Sequence, residues 1–495
     1  MSDVTQLKAG NLDAGKGLFR RLPIDQLAEP AATEGTGLVR SLSLFQLTAI
    51  GVGGIIGAGI FSLAGVVAHD YAGPAVLISF LIAGVASAAA AFSYAEFAGL
   101  ISRAGSAYTY GYAVLGELPG WIIGWDLLLE YTAIVAVVGI GISGYFGYLV
   151  SQLGLHLPAW MMGAPGTGQG HVVDLFALLL CLFIAWLLTQ GIRNAARFET
   201  FVVGLKVAVV VLIIAVGAFH ISTANYTPFM PHGIGGAFTG AATVFFAVFG
   251  YDAMSTAAEE SKDSQKHMPK AIVLSLLIAM VLYVLACLVL TGMVPYTDIV
   301  TSSPFSSAFA SIGLPWLGTV IAAGAIVGIL TVMFTFMLGV TRVWFSMSRD
   351  GLLPKYFAQT SVKHHVPVRV TWIVGVASAL LAGFVKIGTA AELTNIGILF
   401  AFILVCVAVI VLRYRRPDLH REFKCPWLPV VPAIGVVASI WLITYLQWQT
   451  WVRFAVWLVA GLVIYFAYSR HHSRLADPLA AQEPPLPEPA SLRLD

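Results

Sequence analysis

Apolar residues along this chain fall into twelve stretches of roughly 18 to 30 residues, each long enough to cross a ~30 Å hydrocarbon core, with short polar links between them. They lie at 45–67, 74–100, 120–150, 173–191, 197–219, 236–259, 270–294, 314–341, 369–386, 391–412, 427–445 and 450–468. The pattern predicts an all-α membrane protein. Residues 1–44 are mostly polar and mixed in charge, with no short apolar core ahead of a cleavage site, and are expected to be a cytoplasmic tail rather than a signal peptide. A disordered cytoplasmic tail is expected over 469–495, where Pro478, Pro484, Pro485, Pro487 and Pro489 stand among small polar residues that cannot bury a core.

Composition sharpens this reading. Of the 495 residues 58% are hydrophobic and only 11% charged, whereas soluble domains run near a quarter charged, so a soluble enzyme is excluded. The net charge of +2 conceals a strong asymmetry. With the spans placed as above, 24 of the 27 Lys and Arg residues fall on one side, the exceptions being Lys206, Lys386 and Arg453. Basic residues accumulate in cytoplasmic loops, which puts both termini in the cytoplasm and requires an even number of spans. Cys181, Cys287, Cys406 and Cys425 are too far apart for a disulfide framework or a metal site. The eleven histidines lie in loops or at span ends, which leaves an intramembrane protease or a histidine proton relay nothing to use.

Two spans are poor helices at their centres. The first carries Gly51, Gly53, Gly54, Gly57 and Gly59 in the run GVGGIIGAG, and glycine costs about 1 kcal/mol per interior helical position relative to alanine. A broken helix is one reading; close small-residue packing between helices is the other. The sixth span reads FFAVFGYDAMSTAAEE, with Gly250 beside Asp252 at membrane depth, where charge is costly and usually functional. The two suspected breaks are five spans apart, so the helices run in opposite directions, as an inverted five-helix repeat requires.

At ~1.5 Å of rise per residue, Ile55, Glu130 and Lys206 fall ~14 to 15 Å from the inner face, and Asp252 lies somewhat past the midplane from the outside. Three ionisable side chains thus converge near the level of the glycines. A structural polar pair between helices is the alternative for each, and a functional role is the stronger reading. Glu96 reads as a gate or structural pair. Asp126, near the start of the third span, reads as a capping or interface residue.

The runs GVGGIIGAGIF (51–61), SRAGSAYTY (102–110), GWDLLLEY (124–131), FFAVFGYDAMSTAAEE (245–260) and TRVWFSMSRDGLLP (341–354) occur in the order found in amino acid, polyamine and organocation transporters. Within that superfamily the chain resembles bacterial members of the cationic amino acid transporter group, over residues 36 to 425. The resemblance implies the leucine-transporter fold: a first five-helix repeat (45–219), a second inverted one (236–412) and helices 11 and 12 (427–468), with substrate between broken helices 1 and 6. Departures are Ser102 in place of proline, Asp263-Ser264 in place of Asn-Pro, and Ala58 where many relatives carry a hydroxyl.

An amino acid presents a carboxylate and an ammonium, and a broken helix can meet both from its backbone. The N–H groups of Gly57, Ala58 and Gly59 would form the anion site, favoured by the helix dipole. The carbonyls of Ile55, Ala247 and Phe249 would accept the ammonium protons. From the resemblance, Phe246 is an occluding aromatic, with core packing as its alternative. Glu130 and Asp252 stand near the substrate side chain or gate, and Lys206 is the proton-responsive group where sodium-coupled relatives hold an ion. Span 8 supplies selectivity through Met333, whose alternative is lipid-facing or core filling. Together these give the expectation of a proton-coupled importer of L-amino acids in the plasma (inner) membrane, favouring small neutral ones such as alanine, with cationic ones as competitors. An amino acid or polyamine exchanger, a cationic amino acid uniporter, and a channel or nutrient sensor are the rivals. No cofactor, metal, sodium or nucleic acid is expected. The partners are the amino acid and membrane lipid, with a small single-span helper protein as a further candidate.

Overall fold

The computed structural model describes residues 17–21, 42–101, 106–190, 195–255, 261, 263–359 and 366–476. Among them there is no β-strand, only the isolated bridges Leu42–Ser261 and Met162–Asp174. The helices are α1 (Leu44–Ile55), α2 (59–72), α3 (Val76–Leu100), α4 (Ser106–Val114), α5 (Glu117–Gln152), α6 (Leu175–Thr189), α7 (Ala195–Gly217) and α8 (Gly233–Val248). After a break come α9 (Tyr251–Ser255), α10 (Ser264–Met293), α11 (Pro304–Ser311), α12 (Pro315–Arg349), α13 (Val368–Phe384), α14 (Ile387–Arg415), α15 (Val430–Thr444) and α16 (Trp448–His472). Among the described residues, seven helical stretches are long and apolar enough to cross a membrane, the α1–α3 run counting as one, and α6, α8, α13 and α15 are shorter apolar helices.

Local chemistry sets several of the boundaries. Ser43 caps α1 in a capping box with Gln46, its Oγ accepting from the Gln46 N–H at 3.4 Å while the Gln46 side chain accepts from the Ser43 N–H at 3.0 Å. Asp174 caps α6 by accepting from the Ala177 N–H at 3.0 Å, and it also takes the Ser143 hydroxyl at 2.6 Å. Pro315 opens α12 from a first-turn position, where its missing N–H costs nothing.

The helices pack in recurring pairs: α3 along α10, α5 along α12 and α6 along α13. Small residues allow the approach. A side chain at Gly84 would run into Met280 between α3 and α10, and one at Gly375 would run into Ala185 between α13 and α6. The third and eighth spans are longer than the apolar pattern alone marks, because α5 begins at Glu117 and α12 continues to Arg349. α4 and α11 sit in links read from the sequence as loops. The chain also stays helical to His472, with a further turn at Arg474–Ala476, which corrects the start at 469 of the expected disordered stretch. Expectations for residues 1–16, 22–41, Ser102 and 477–495 lie outside the described residues.

Candidate functional site

Both suspected breaks are present. α1 ends at Ile55, and Ile56 adopts an extended conformation (φ −73°, ψ 104°) before helix resumes at Gly59. α8 ends at Val248, Phe249 is extended (φ −105°, ψ 164°), and Gly250 takes φ 125° before α9. A small cavity of about 10 Å³ lies where the breaks meet, room for about one water. Gly54, Ile55, Gly57 and Ala58 line it from the first break, and Phe246 and Phe249 from the second. Ile134 of α5 with Val332 and Phe336 of α12 complete it, so every lining side chain is apolar.

Carbonyls freed near the breaks are met by side chains from distant helices. The buried Lys206 ammonium of α7 donates to the Gly53 carbonyl at 2.8 Å and the Ile56 carbonyl at 3.2 Å. Tyr283 of α10 donates to the Ile55 carbonyl at 2.7 Å, and Ser87 of α3 to the Val248 carbonyl at 2.8 Å. The Asn395 amide of α14 spans the Ala242 and Thr243 carbonyls at 2.8 and 2.9 Å. Buried backbone polar groups require such partners in a dry interior. Tyr283, Ser87 and Asn395 were not legible in the sequence as site residues. Their only signal is a polar side chain inside an apolar span.

The residues singled out from sequence divide accordingly. Ile55, Gly57, Ala58, Phe246 and Phe249 line the cavity. The Ile55 carbonyl, expected to accept from substrate, already accepts from the Tyr283 hydroxyl. Gly59 and Ala247 face each other instead: a Cβ on Gly59 would lie 2.3 Å from that of Ala247. Glycine at 59 is therefore needed for the close approach of the two broken segments. Met333 is corrected too. It is buried toward Gly139 and Cys181, while Val332 and Phe336, one residue before and three after, face the cavity. Val332 and Phe336, an i, i+4 pair, form the lining stripe, and Met333 lies beside it, about 100° round from Val332 and about 60° from Phe336.

Glu130 and Asp252 lie outside the lining. Asp252 accepts a hydrogen bond from the Tyr131 hydroxyl, tying α9 to α5. Glu130 is one helical turn from Ile134, and Asp126 one turn further; both are fully buried, and neither carboxylate has a hydrogen-bond partner among the described residues. Asp126 stands against Gly397 of α14, where an added Cβ would lie 2.7 Å from Oδ1. It is therefore not the interface cap expected of it, because α5 starts earlier and carries Asp126 deeper. Glu96 is a structural hub: its carboxylate takes the Arg413 guanidinium, the Arg421 Nε at 3.0 Å and the Cys425 N–H at 2.7 Å.

The sequence compares directly with known families. Residues 42–468 match the model of a family described as amino acid permease. The chain belongs to the amino acid permease family. Among the permease's relatives, the branched-chain amino acid permease BcaP of Bacillus subtilis (strain 168) is 47% identical over 462 residues, covering 92% of this chain and 99% of the relative. The methylthioribose transporter of the same organism is 44% identical over 458 residues, with the same coverage of each. The vacuolar cationic amino acid transporter 4 of Arabidopsis thaliana is 38% identical over 411 residues, covering 81% of this permease and 68% of the relative. These are transporters, and the family is not one of enzymes.

Proposed function

We propose that this permease carries neutral apolar L-amino acids inward across the plasma membrane by alternating access, coupled to protons. In this reading α1 with α2, and α8 with α9, each form one broken span. With α6, α13 and α15 also crossing, the total is twelve, the basic links lie in the cytoplasm, and the pairs α3–α10, α5–α12 and α6–α13 join each span to the one five later, in keeping with an inverted 5+5 repeat.

The observation that carries the substrate class is the cavity between two broken helices. Its backbone faces the common part of an amino acid, while Ile134, Val332 and Phe336 offer the side chain apolar surface only. A guanidinium or ammonium held there would lack a counter-charge, which burial makes costly. The name of the branched-chain permease relative points the same way. The cavity is too small for any amino acid as it stands, so this is a closed form that must open to load. Lys206 is the coupling group in this reading: its ammonium donates to the Gly53 and Ile56 carbonyls at the end of α1, so losing a proton would weaken its hold on the first break.

The test is uptake into liposomes holding the purified protein, with an imposed pH gradient and competition by each amino acid and by methylthioribose. Acid-outside accumulation of leucine, valine or alanine that arginine fails to inhibit is expected. Uptake that needs substrate inside the vesicle and ignores the gradient would replace import with exchange, and inhibition by methylthioribose alone would replace the substrate class.

A further inference from the structure

The face of α5 that lines the cavity continues beyond it. Ile134, Gly141 and Tyr145 share that face at the spacing i, i+7 and i+11, and α5 runs outward in the reading above, so Tyr145 lies on the outer side of the cavity. There α5 is covered by α2, the second half of the first broken span, and by α11 with the link before it. The approach is tight: a Cβ on Gly141 would lie 2.9 Å from the Ser62 Oγ and 3.3 Å from the Ala58 Cβ, and one on Gly144 would run into the Ser302 carbonyl. α2 and α11 meet each other as closely, since a Cβ on Gly65 would lie 2.5 Å from that of Pro304.

Tyr145 stands at the joint of these three pieces. α2 opens with a wide turn over Gly59–Leu63, in which the Ala64 N–H reaches back five residues to the Gly59 carbonyl, a distortion frequent at functional sites. Within that turn the Phe61 carbonyl accepts from the Tyr145 hydroxyl. The Phe305 N–H, in the first turn of α11 where helix donors have no partner within the helix, is directed at the same oxygen. The rings of Phe61 and Tyr145 meet edge to face at 6.4 Å, and those of Phe61 and Phe305 at 6.5 Å. All three side chains are buried. One hydroxyl thus ties α2 and α11 to α5, outward from the cavity.

We propose that Tyr145 is the latch that holds the transport site shut on its outer side. The inference rests on the alternating-access reading and deepens it by naming the group that must let go before an amino acid can enter. Gly57 and Ala58, at the cavity, lead directly into α2, so admitting substrate from outside means parting α2 and α11 from the face of α5 that carries Tyr145. Ring contacts and glycine contacts tolerate a small slide, whereas a hydrogen bond weakens steeply with angle and distance. The Tyr145 bond therefore fixes the register of the closed form. Tyr145 does not line the cavity, so it is a positioning residue that acts through the first broken span.

Two variants loosen the latch by different means. Tyr145→Phe removes the hydroxyl and keeps the ring, and Gly144→Ala drives a methyl group into the Ser302 carbonyl. The reporter is Ser62→Cys, at a buried hydroxyl with no hydrogen-bond partner among the described residues, in a chain whose own four cysteines are buried. In intact cells an impermeant maleimide is expected to label the reporter about tenfold faster in either latch variant, the factor that about 1.4 kcal/mol of lost closure corresponds to. Inside-out vesicles should show no such gain. Parental rates in both variants, or equal acceleration from both faces, would overturn the proposal. Uptake in liposomes adds a readout that mere damage to the fold would not give: in Tyr145→Phe the KM for external leucine should fall, because more of the protein is ready to bind, and the maximal rate should fall with it, because closure is slower. A raised KM would overturn the latch. Labelling needs no transport, so a parent that moves no amino acid would refute the transport reading while leaving the latch to be decided by labelling.

Discussion

Gly54 and Gly250 touch backbone to backbone: a Cβ on Gly54 would lie 2.7 Å from the Gly250 carbonyl oxygen, and one on Gly250 would lie 2.5 Å from the Gly54 carbonyl oxygen. Neither break can take its present shape without the other, because each glycine supplies the space that its partner fills. Gly250 also sits at φ 125°, a conformation that disfavours any other residue. Gly250→Ala is therefore expected to lower the melting temperature and to abolish stabilisation by added substrate. Thermal unfolding with and without leucine reads both.

Lys206→Ala should remove uptake driven by a pH gradient while leaving counterflow measurable, because exchange needs no net proton movement. The comparison is made in the same vesicles with and without the gradient. Unchanged acid stimulation would take Lys206 out of the coupling.

Asp126 and Glu130 give a different signature. Amide replacements keep the shape and remove an ionisable carboxyl that has no hydrogen-bond partner among the described residues, so Asp126→Asn and Glu130→Gln should leave thermal stability equal or higher. Uptake should nonetheless fall, and by the same factor for leucine, valine and alanine, since neither acid lines the cavity. Reduced stability with normal transport would make them structural.

Selectivity separates two residues of α12. Phe336→Ser enlarges the cavity and makes it more polar, so polar or cationic amino acids should begin to compete with leucine. Met333→Ser should leave the competition profile alone and cost about 2–5 kcal/mol of stability, as deletion of a buried methionine does. A changed profile in Met333→Ser would return that residue to the site.

Cys425 reports on the hub around Glu96. Burial, and then the Glu96 charge, pushes its thiol up to about 11, so it stays protonated at neutral pH and should resist maleimide. Labelling should rise steeply above pH 10 and, in Glu96→Gln, at neutral pH as the loop loosens. Mass spectrometry counts the adducts.

The apolar periodicity and the glycine runs made the spans and both breaks legible in the sequence, because those signals are local. The partners of the break were not. Tyr283 reaches Ile55 across 228 positions and Ser87 reaches Val248 across 161, and no periodicity says which two helices will touch. Depth along a helix follows from counting residues, which is why the α12 residues near the cavity were found at about the right level. Which way each faces depends on the neighbours, and there Met333 was exchanged for Val332 and Phe336. Asp126 was misjudged because α5 begins three residues earlier than the apolar pattern marks, at Glu117, a charged residue that the fold buries.

The Glu96 hub has a consequence for how the chain is made. Its first guanidinium partner, Arg413, lies 317 positions downstream, and the Cys425 N–H lies 329. At about 5 to 20 residues per second of synthesis, Arg413 is added roughly 16 to 60 s after Glu96. Throughout that interval the Glu96 end of α3 waits without the side chains that will hold it. The ribosome has nearly finished before the earliest helices acquire their last fastening, so a nascent chain stalled in its second half is the form most exposed to quality-control proteases.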